Sequence, residues 1–131
     1  MSERILVVDD DAAVCMTVEY ILLRAGNAVS TVSTTSEAFV LAHRRRFDLM
    51  ICDLVMPDMD GVTLIRMFKD KYPSMPIIAM SGGARLGTFD TLRSAREAGA
   101  DELLRKPFSA ASLKAAVTRV LSSGNVWVSK N

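Results

Sequence analysis

Three runs of consecutive apolar residues, Ile5–Val8, Leu49–Cys52 and Ile77–Met80, each stop on a side chain with reactive chemistry: Asp9, Asp53 and Ser81. Continuous apolar runs of this length suit strands buried on both faces, the pattern of a parallel sheet. Between them lie stretches of helical period. Val14, Val18, Ile21 and Leu22 recur at helical spacing within Ala12–Arg24, and Gly26 follows where a helix C-cap is expected. Ala28–Val32 is β-branched and alternating, and Thr34 with Glu37 forms a capping box that opens a helix to about Arg46. A turn-rich segment, Pro57-Asp58-Met59-Asp60-Gly61, leads into a helix ending near Tyr72. A further helix is expected from Phe89 to Ala98, stopped by Gly99, then a short strand at Leu103-Leu104. Ser109 is positioned to cap a last helix to about Leu121. Five β-then-α units in strict alternation predict an α/β fold, a doubly wound parallel sheet with helices on both faces and right-handed crossovers.

The chain of 131 residues fits one domain and can bury roughly two-thirds of its unfolded surface, so it needs no disulfide or structural metal. Its 16 basic and 15 acidic side chains leave a net charge of +1, with no global field to attract nucleic acid or an anionic membrane. Cys15 and Cys52 lie in apolar stretches and read as buried thiols; with a single His they cannot supply a zinc site. No segment has the form of a signal peptide or a membrane span, and the expected compartment is the cytoplasm.

The polar residues at the strand ends carry the chemistry. Asp9, Asp10 and Asp11 follow the first strand, Asp53 the third, Ser81 the fourth and Lys106 the fifth. In an open parallel sheet the carboxyl ends of the strands share one edge, where ligands bind. Residues remote in sequence should therefore meet in one cleft. Two carboxylates about 4 Å apart repel by roughly 4 kcal/mol at an effective dielectric near 20. A proton or a cation must relieve this. Oxygen-only donors favour a hard divalent ion, and magnesium is typically held by one or two carboxylates together with a phosphate. Lys106 and Ser81 can neutralise phosphoryl oxygens during transfer, and Asp53 is the candidate nucleophile for an acyl phosphate.

With these residues in view, the chain resembles the response-regulator receiver domain of two-component signalling. Ile5-Leu6-Val7-Val8-Asp9-Asp10 is similar to that family's opening and Asp53-Leu54-Val55-Met56-Pro57-Asp58-Met59-Asp60-Gly61 to its phosphoacceptor segment. Gly99-Ala100-Asp101 and Lys106-Pro107-Phe108 are similar to its closing segment. The resemblance covers about residues 4 to 121. It implies a flavodoxin-like five-stranded sheet in the order 2-1-3-4-5. It also implies that Asp53 accepts a phosphoryl group from a sensor histidine kinase or a histidine phosphotransfer protein. Asp10 and Asp53 would ligate Mg2+, Asp9 would act through water, and the main-chain carbonyl of Val55 would complete the protein ligands. Lys106 would contact the phosphoryl oxygens, Ser81 would swing toward them, and the bond before Pro107 would be cis. Partners would be that phosphodonor and a downstream protein, with a homodimer possible through the face from the fourth to the fifth helix. No nucleic acid or membrane is expected as a partner. Residues 1–122 would form the receiver and 123–131 a tail bearing Trp127, with no output domain.

Three departures from the family pattern matter. Leu103 stands where an aromatic switch residue is common. Val55 and Gly83, two residues after Asp53 and Ser81, cannot orient a hydrolytic water, so slow autodephosphorylation is expected. No output domain is expected in the residues after Leu121, so the chain is read either as a stand-alone receiver or as a piece of a larger protein. Two other functions compete. A phosphohydrolase of the haloacid-dehalogenase type needs Asp-x-Asp-x-Thr/Val after the first strand; Asp9 and Asp11 have that spacing, but Ala13 fails it. A binding module that is never phosphorylated would have no use for the acidic set and Lys106. The chain is therefore expected to be no enzyme beyond its own phosphoryl transfer and dephosphorylation. Simpler readings cover the rest. For the aspartate run the bland alternative, a solvated loop in which Asp10 or Asp11 caps the first helix, gives way once Asp53, Ser81 and Lys106 fall in phase. Asp58 and Asp60 cap and shape the turn, and His43 with Arg44, Arg45 and Arg46 is a solvated helix end. Ser81-Gly82-Gly83 matches no nucleotide-binding glycine loop.

Overall fold

The computed structural model of the chain describes residues 2–82 and 89–123. Its elements alternate in chain order: β1 (Arg4–Val8), α1 (Ala12–Arg24), β2 (Ala28–Val32), α2 (Thr35–Arg44), β3 (Leu49–Asp53), α3 (Gly61–Lys71), β4 (Ile77–Gly82), α4 (Phe89–Ala98), β5 (Glu102–Lys106) and α5 (Ala110–Ser123). The five strands are parallel, in the order β2-β1-β3-β4-β5. Gly83 and residues 124–131, Trp127 among them, lie outside the described residues, while Ser123, expected to begin the tail, is the last residue of α5.

The apolar runs divide their side chains between two cores. Leu6 and Val8 of β1 join Met50, Cys52, Ile77 and Ala79 on one face, against Ala38 and Ala42 of α2, Leu64, Ile65 and Phe68 of α3, and Ala95 and Ala98 of α4. Ile5 and Val7 join Leu49, Ile51, Ile78 and Met80 on the other, against Cys15, Val18 and Leu22 of α1 and Leu113, Ala116, Val117 and Val120 of α5. Alternating side chains with both sets apolar is what a doubly covered strand requires. Both cysteines are free and buried.

Helix ends follow the residues expected to make them. Asp11 caps α1 by accepting from the backbone N–H groups of Ala13 (2.9 Å) and Val14 (3.3 Å). Thr34 caps α2, its Oγ1 accepting from Glu37 N–H, while Glu37 reaches back to the N–H of Ser33, one residue before the cap. Asp60 caps α3 through Thr63 N–H, and Ser109 accepts from Ser112 N–H at the start of α5. Gly26 follows α1 with φ +97° and Gly99 follows α4 with φ +121°, backbone states that favour glycine. The helix expected to reach Arg46 stops at Arg44. Arg45 is already extended, which turns Phe47 into the core, where it is 6% exposed. His43, Arg44, Arg45 and Arg46 are all exposed, as a solvated helix end should be.

Candidate functional site

Parallel pairing brings the strand ends to one edge. Val8 lies opposite Cys52, Asp53 opposite Met80, and Gly82 opposite Lys106. The three consecutive aspartates then take three different jobs. Asp9 is fully buried, Asp10 is exposed, and Asp11 is committed to the cap of α1. Carboxylate oxygens of Asp9, Asp10 and Asp53 lie within 4.8 Å of one another. The Lys106 ammonium donates to Asp9 Oδ2 at 2.8 Å and to Asp53 Oδ2 at 3.1 Å. The other oxygens of these two carboxylates accept from main chain: Asp9 Oδ1 from Asp11 N–H (2.9 Å) and Asp53 Oδ1 from Val55 N–H (3.3 Å).

The electrostatics follow from one ammonium shared among several carboxylates. Burial and the charge of Asp9 raise the Asp53 carboxyl above its ordinary range, and Lys106 only partly opposes this. Burial works against the charged form of Lys106, but its bonds to Asp9 and Asp53 outweigh that and hold the ammonium above its usual range. The cleft thus keeps excess negative charge that a further cation would relieve. Its carboxylate donors are all oxygens, the kind a hard divalent cation such as magnesium takes.

The remaining expected residues sit at the same edge. Ser81 is buried at the end of β4, one residue past the partner of Asp53. Val55 lies two residues past the end of β3, 47% exposed, with its N–H on Asp53 Oδ1. The Lys106–Pro107 bond is cis. Leu103 is partly buried against the core on the α2, α3 and α4 side. Reasoning from the strand ends missed Thr35, a buried residue whose hydroxyl donates to Asp58 at 2.9 Å. It also missed Lys69, which pairs with Asp101 at 2.9 Å beneath the sheet's opposite edge. A cavity of about 800 Å3 opens there too, but it is lined by Arg44, Phe47, Tyr72 and Met75 and by none of the acidic cluster.

The family model of the response regulator receiver domain matches residues 5–118. The chain belongs to this family. The receiver is 34% identical over 98% of its length to a probable transcriptional regulatory protein, SilR of Salmonella typhimurium, and spans 55% of that protein. It is 31% identical over 96% of its length to the alkaline phosphatase synthesis regulator PhoP of Bacillus subtilis, spanning 51% of it. It thus covers about half the length of these curated relatives. Among solved structures, the chemotaxis response regulator CheY4 of Vibrio cholerae superposes with a TM-score of 0.83 at 28% identity, over 92% of this chain and 99% of that one. A CheY-like receiver from Methanospirillum hungatei gives 0.87 at 28% identity, over 95% and 97%. These likenesses agree with the flavodoxin-like sheet order and identify a signalling domain of two-component systems. The phosphohydrolase and the unphosphorylated binding module are not favoured. Among the described residues, no helix is long and apolar enough to cross a membrane.

Proposed function

We propose that Asp53 of this receiver accepts a phosphoryl group from a histidine kinase or a histidine phosphotransfer protein, and that the new charge alters what the domain binds. The observation that carries this reading is the pair of hydrogen bonds from the Lys106 ammonium to Asp9 and Asp53, with a carboxylate oxygen of Asp10 within 4.8 Å of oxygens of both. An oxygen of Asp53 forms the new bond to phosphorus as the bond from phosphorus to the donor histidine nitrogen breaks. Lys106, already 3.1 Å from Asp53, can transfer its hydrogen bonds to the incoming phosphoryl oxygens. Ser81 offers a hydroxyl one strand away. Asp10, Asp53 and the carbonyl of Val55 would hold Mg2+, with Asp9 acting through water. The ion would supply positive charge against the phosphoryl oxygens.

The aspartyl phosphate carries charge of about −2 where the free carboxylate carried −1, and it adds three acceptor oxygens, enough to bias a two-state element. Leu103 has no hydroxyl or ring, so output through an aromatic swing at that position is not expected. The domain catalyses only its own phosphorylation and a slow dephosphorylation. A cytoplasmic phosphodonor and a downstream protein are its partners, and a homodimer would form through the face from α4 to α5. The near-neutral charge favours no contact of the receiver itself with nucleic acid. Incubation with acetyl phosphate and Mg2+, read by intact mass, tests the reading. The wild type should gain one phosphoryl group and Asp53→Ala none; equal labelling of both would remove Asp53 from its role.

A further inference from the structure

Six polar or charged side chains are buried among the described residues. Asp9, Asp53 and Ser81 belong to the strand-end cluster, and Asp101 and Glu102 are neutralised by Lys69 and Arg119. Thr35, 2% exposed, belongs to neither group. Its N–H and its hydroxyl both donate to Asp58, at 3.2 and 2.9 Å, and Ser36 N–H donates to the same carboxylate at 3.4 Å. Asp58 stands 23 residues away, at the tip of the loop between β3 and α3. A local cap for α2 exists already in Thr34, which takes Glu37 N–H. The bonds from Asp58 therefore do something a cap within the helix would not: they tie the phosphoacceptor loop to the start of α2.

Among the described residues, the main-chain bonds of that loop lie near its base, while Met56 and Met59 set their side chains against the core. Leu54 N–H donates to Met80 O at 3.0 Å and Gly61 N–H closes the loop on Leu54 O at 2.9 Å. Val55 lies between these anchors and the tip. The last residue of β2 also holds the other acidic loop, because Asp9 N–H donates to Val32 O at 3.1 Å. Thus the backbone carrying Asp9 and Asp10 and the loop carrying Val55 are both secured to one short stretch, Val32 to Ser36.

We infer that the Thr35–Asp58 bridge is a positioning device for the cation, registering the Val55 carbonyl against the carboxylates of Asp10 and Asp53. The inference rests on the phosphoacceptor reading given above. Two side chains outside the coordinating set then govern how well the ion is held. Thr35→Val removes the hydroxyl at nearly constant volume and leaves the main-chain bond. Asp58→Ala removes all three bonds, and Thr35→Ser keeps the hydroxyl.

The test is calorimetric titration of each purified variant with MgCl2, alongside melting temperature and the shift of the Val55 amide in 15N NMR. Thr35→Val and Asp58→Ala should bind Mg2+ about three- to tenfold more weakly, the share expected from one lost hydrogen bond. The Val55 amide should shift in the ion-free spectrum, and Thr35→Ser should restore both properties. Lowered melting temperature with Mg2+ affinity unchanged would make the bridge a helix cap only and overturn the inference. If Asp58→Ala does not fold, Thr35→Val decides alone. Wild-type binding that Asp53→Asn abolishes but Thr35→Val leaves intact would sink the bridge and spare the site. No Mg2+ binding by the wild type would sink both.

Discussion

The Lys106 ammonium lies 3.1 Å from the carboxylate of Asp53 while also bonded to Asp9. One positive charge thus stabilises two carboxylates, with a third close by. Lys106→Met removes it and leaves the acidic groups facing one another. Breaking a buried ion pair costs about 3–5 kcal/mol, and the partial exposure of Lys106 reduces this to roughly 1–3 kcal/mol. The variant should melt lower than wild type in EDTA. Mg2+ should raise its melting temperature by more than it raises that of the wild type, because the ion then meets uncompensated carboxylates. Ligand at a hundredfold excess over Kd contributes about 2.7 kcal/mol, a shift easily seen by calorimetry. Equal gains in the two proteins would refute the idea that ammonium and cation relieve the same repulsion.

Gly61 is required by space. A Cβ there would lie 2.5 Å from the carbonyl oxygen of Asp53 and 2.5 Å from Leu54 Cα, both main-chain atoms that cannot swing aside. Gly61→Ala should destabilise the fold by about 1–3 kcal/mol, the usual cost of overpacking. Because the displaced atoms carry Asp53, phosphorylation by acetyl phosphate should fall even at temperatures where the variant is fully folded. Normal labelling of the folded variant would show that the strand end tolerates the shift.

Most of the fold was legible because its signals are local and redundant. Ile5–Val8, Leu49–Cys52 and Ile77–Met80 announce buried strands, and Asp11, Thr34, Asp60 and Ser109 cap the helices they precede. The candidate site was legible for a different reason: parallel topology sends every strand end to the same edge, so Asp9, Asp53 and Lys106 had to converge once the sheet order was fixed. Thr35 and Lys69 were not legible. Their partners, Asp58 and Asp101, are 23 and 32 residues away, and the pairing depends on how two loops or a helix and a strand pack. Nothing in the spacing of a lone Thr or Lys announces that. The end of α2 was missed because an arginine run continues the helical composition, while the burial of Phe47 ends the helix.

The acid limb of stability should carry the signature of Asp60. Hydrogen bonds from Thr63 hold its carboxyl below its ordinary value. A carboxyl whose folded pKa is depressed contributes stability above its unfolded value, near 3.9, and loses it as pH falls through the folded pKa. Asp60→Asn keeps an acceptor for Thr63 N–H but does not titrate. It should be slightly less stable than wild type at pH 7, by about 1 kcal/mol or less. Between about pH 5 and pH 2 the gap should shrink, since only the wild type loses the charge-assisted cap. Urea denaturation at both ends of that range measures the difference; a gap that stays constant would remove Asp60 from the acid response.

Lys69 and Asp101 join α3 to the opposite edge of the sheet from the phosphoacceptor. Lys69 Nζ donates to Asp101 Oδ2 at 2.9 Å and to Met75 O at 3.0 Å, and Asp101 Oδ2 also accepts from Ile77 N–H at 2.8 Å. Lys69→Met would leave a nearly buried carboxylate with only main-chain support. The loss should be about 2–4 kcal/mol, within the range for breaking one side of a buried pair. Asp101→Asn keeps an acceptor for both donors and should cost less. Neither change touches Asp53, so the rate of labelling by acetyl phosphate should stay within about twofold of wild type at temperatures well below melting. A large loss of labelling with little loss of stability would mean that the two edges of the sheet are coupled, and that this ion pair helps set the geometry of the acidic cleft.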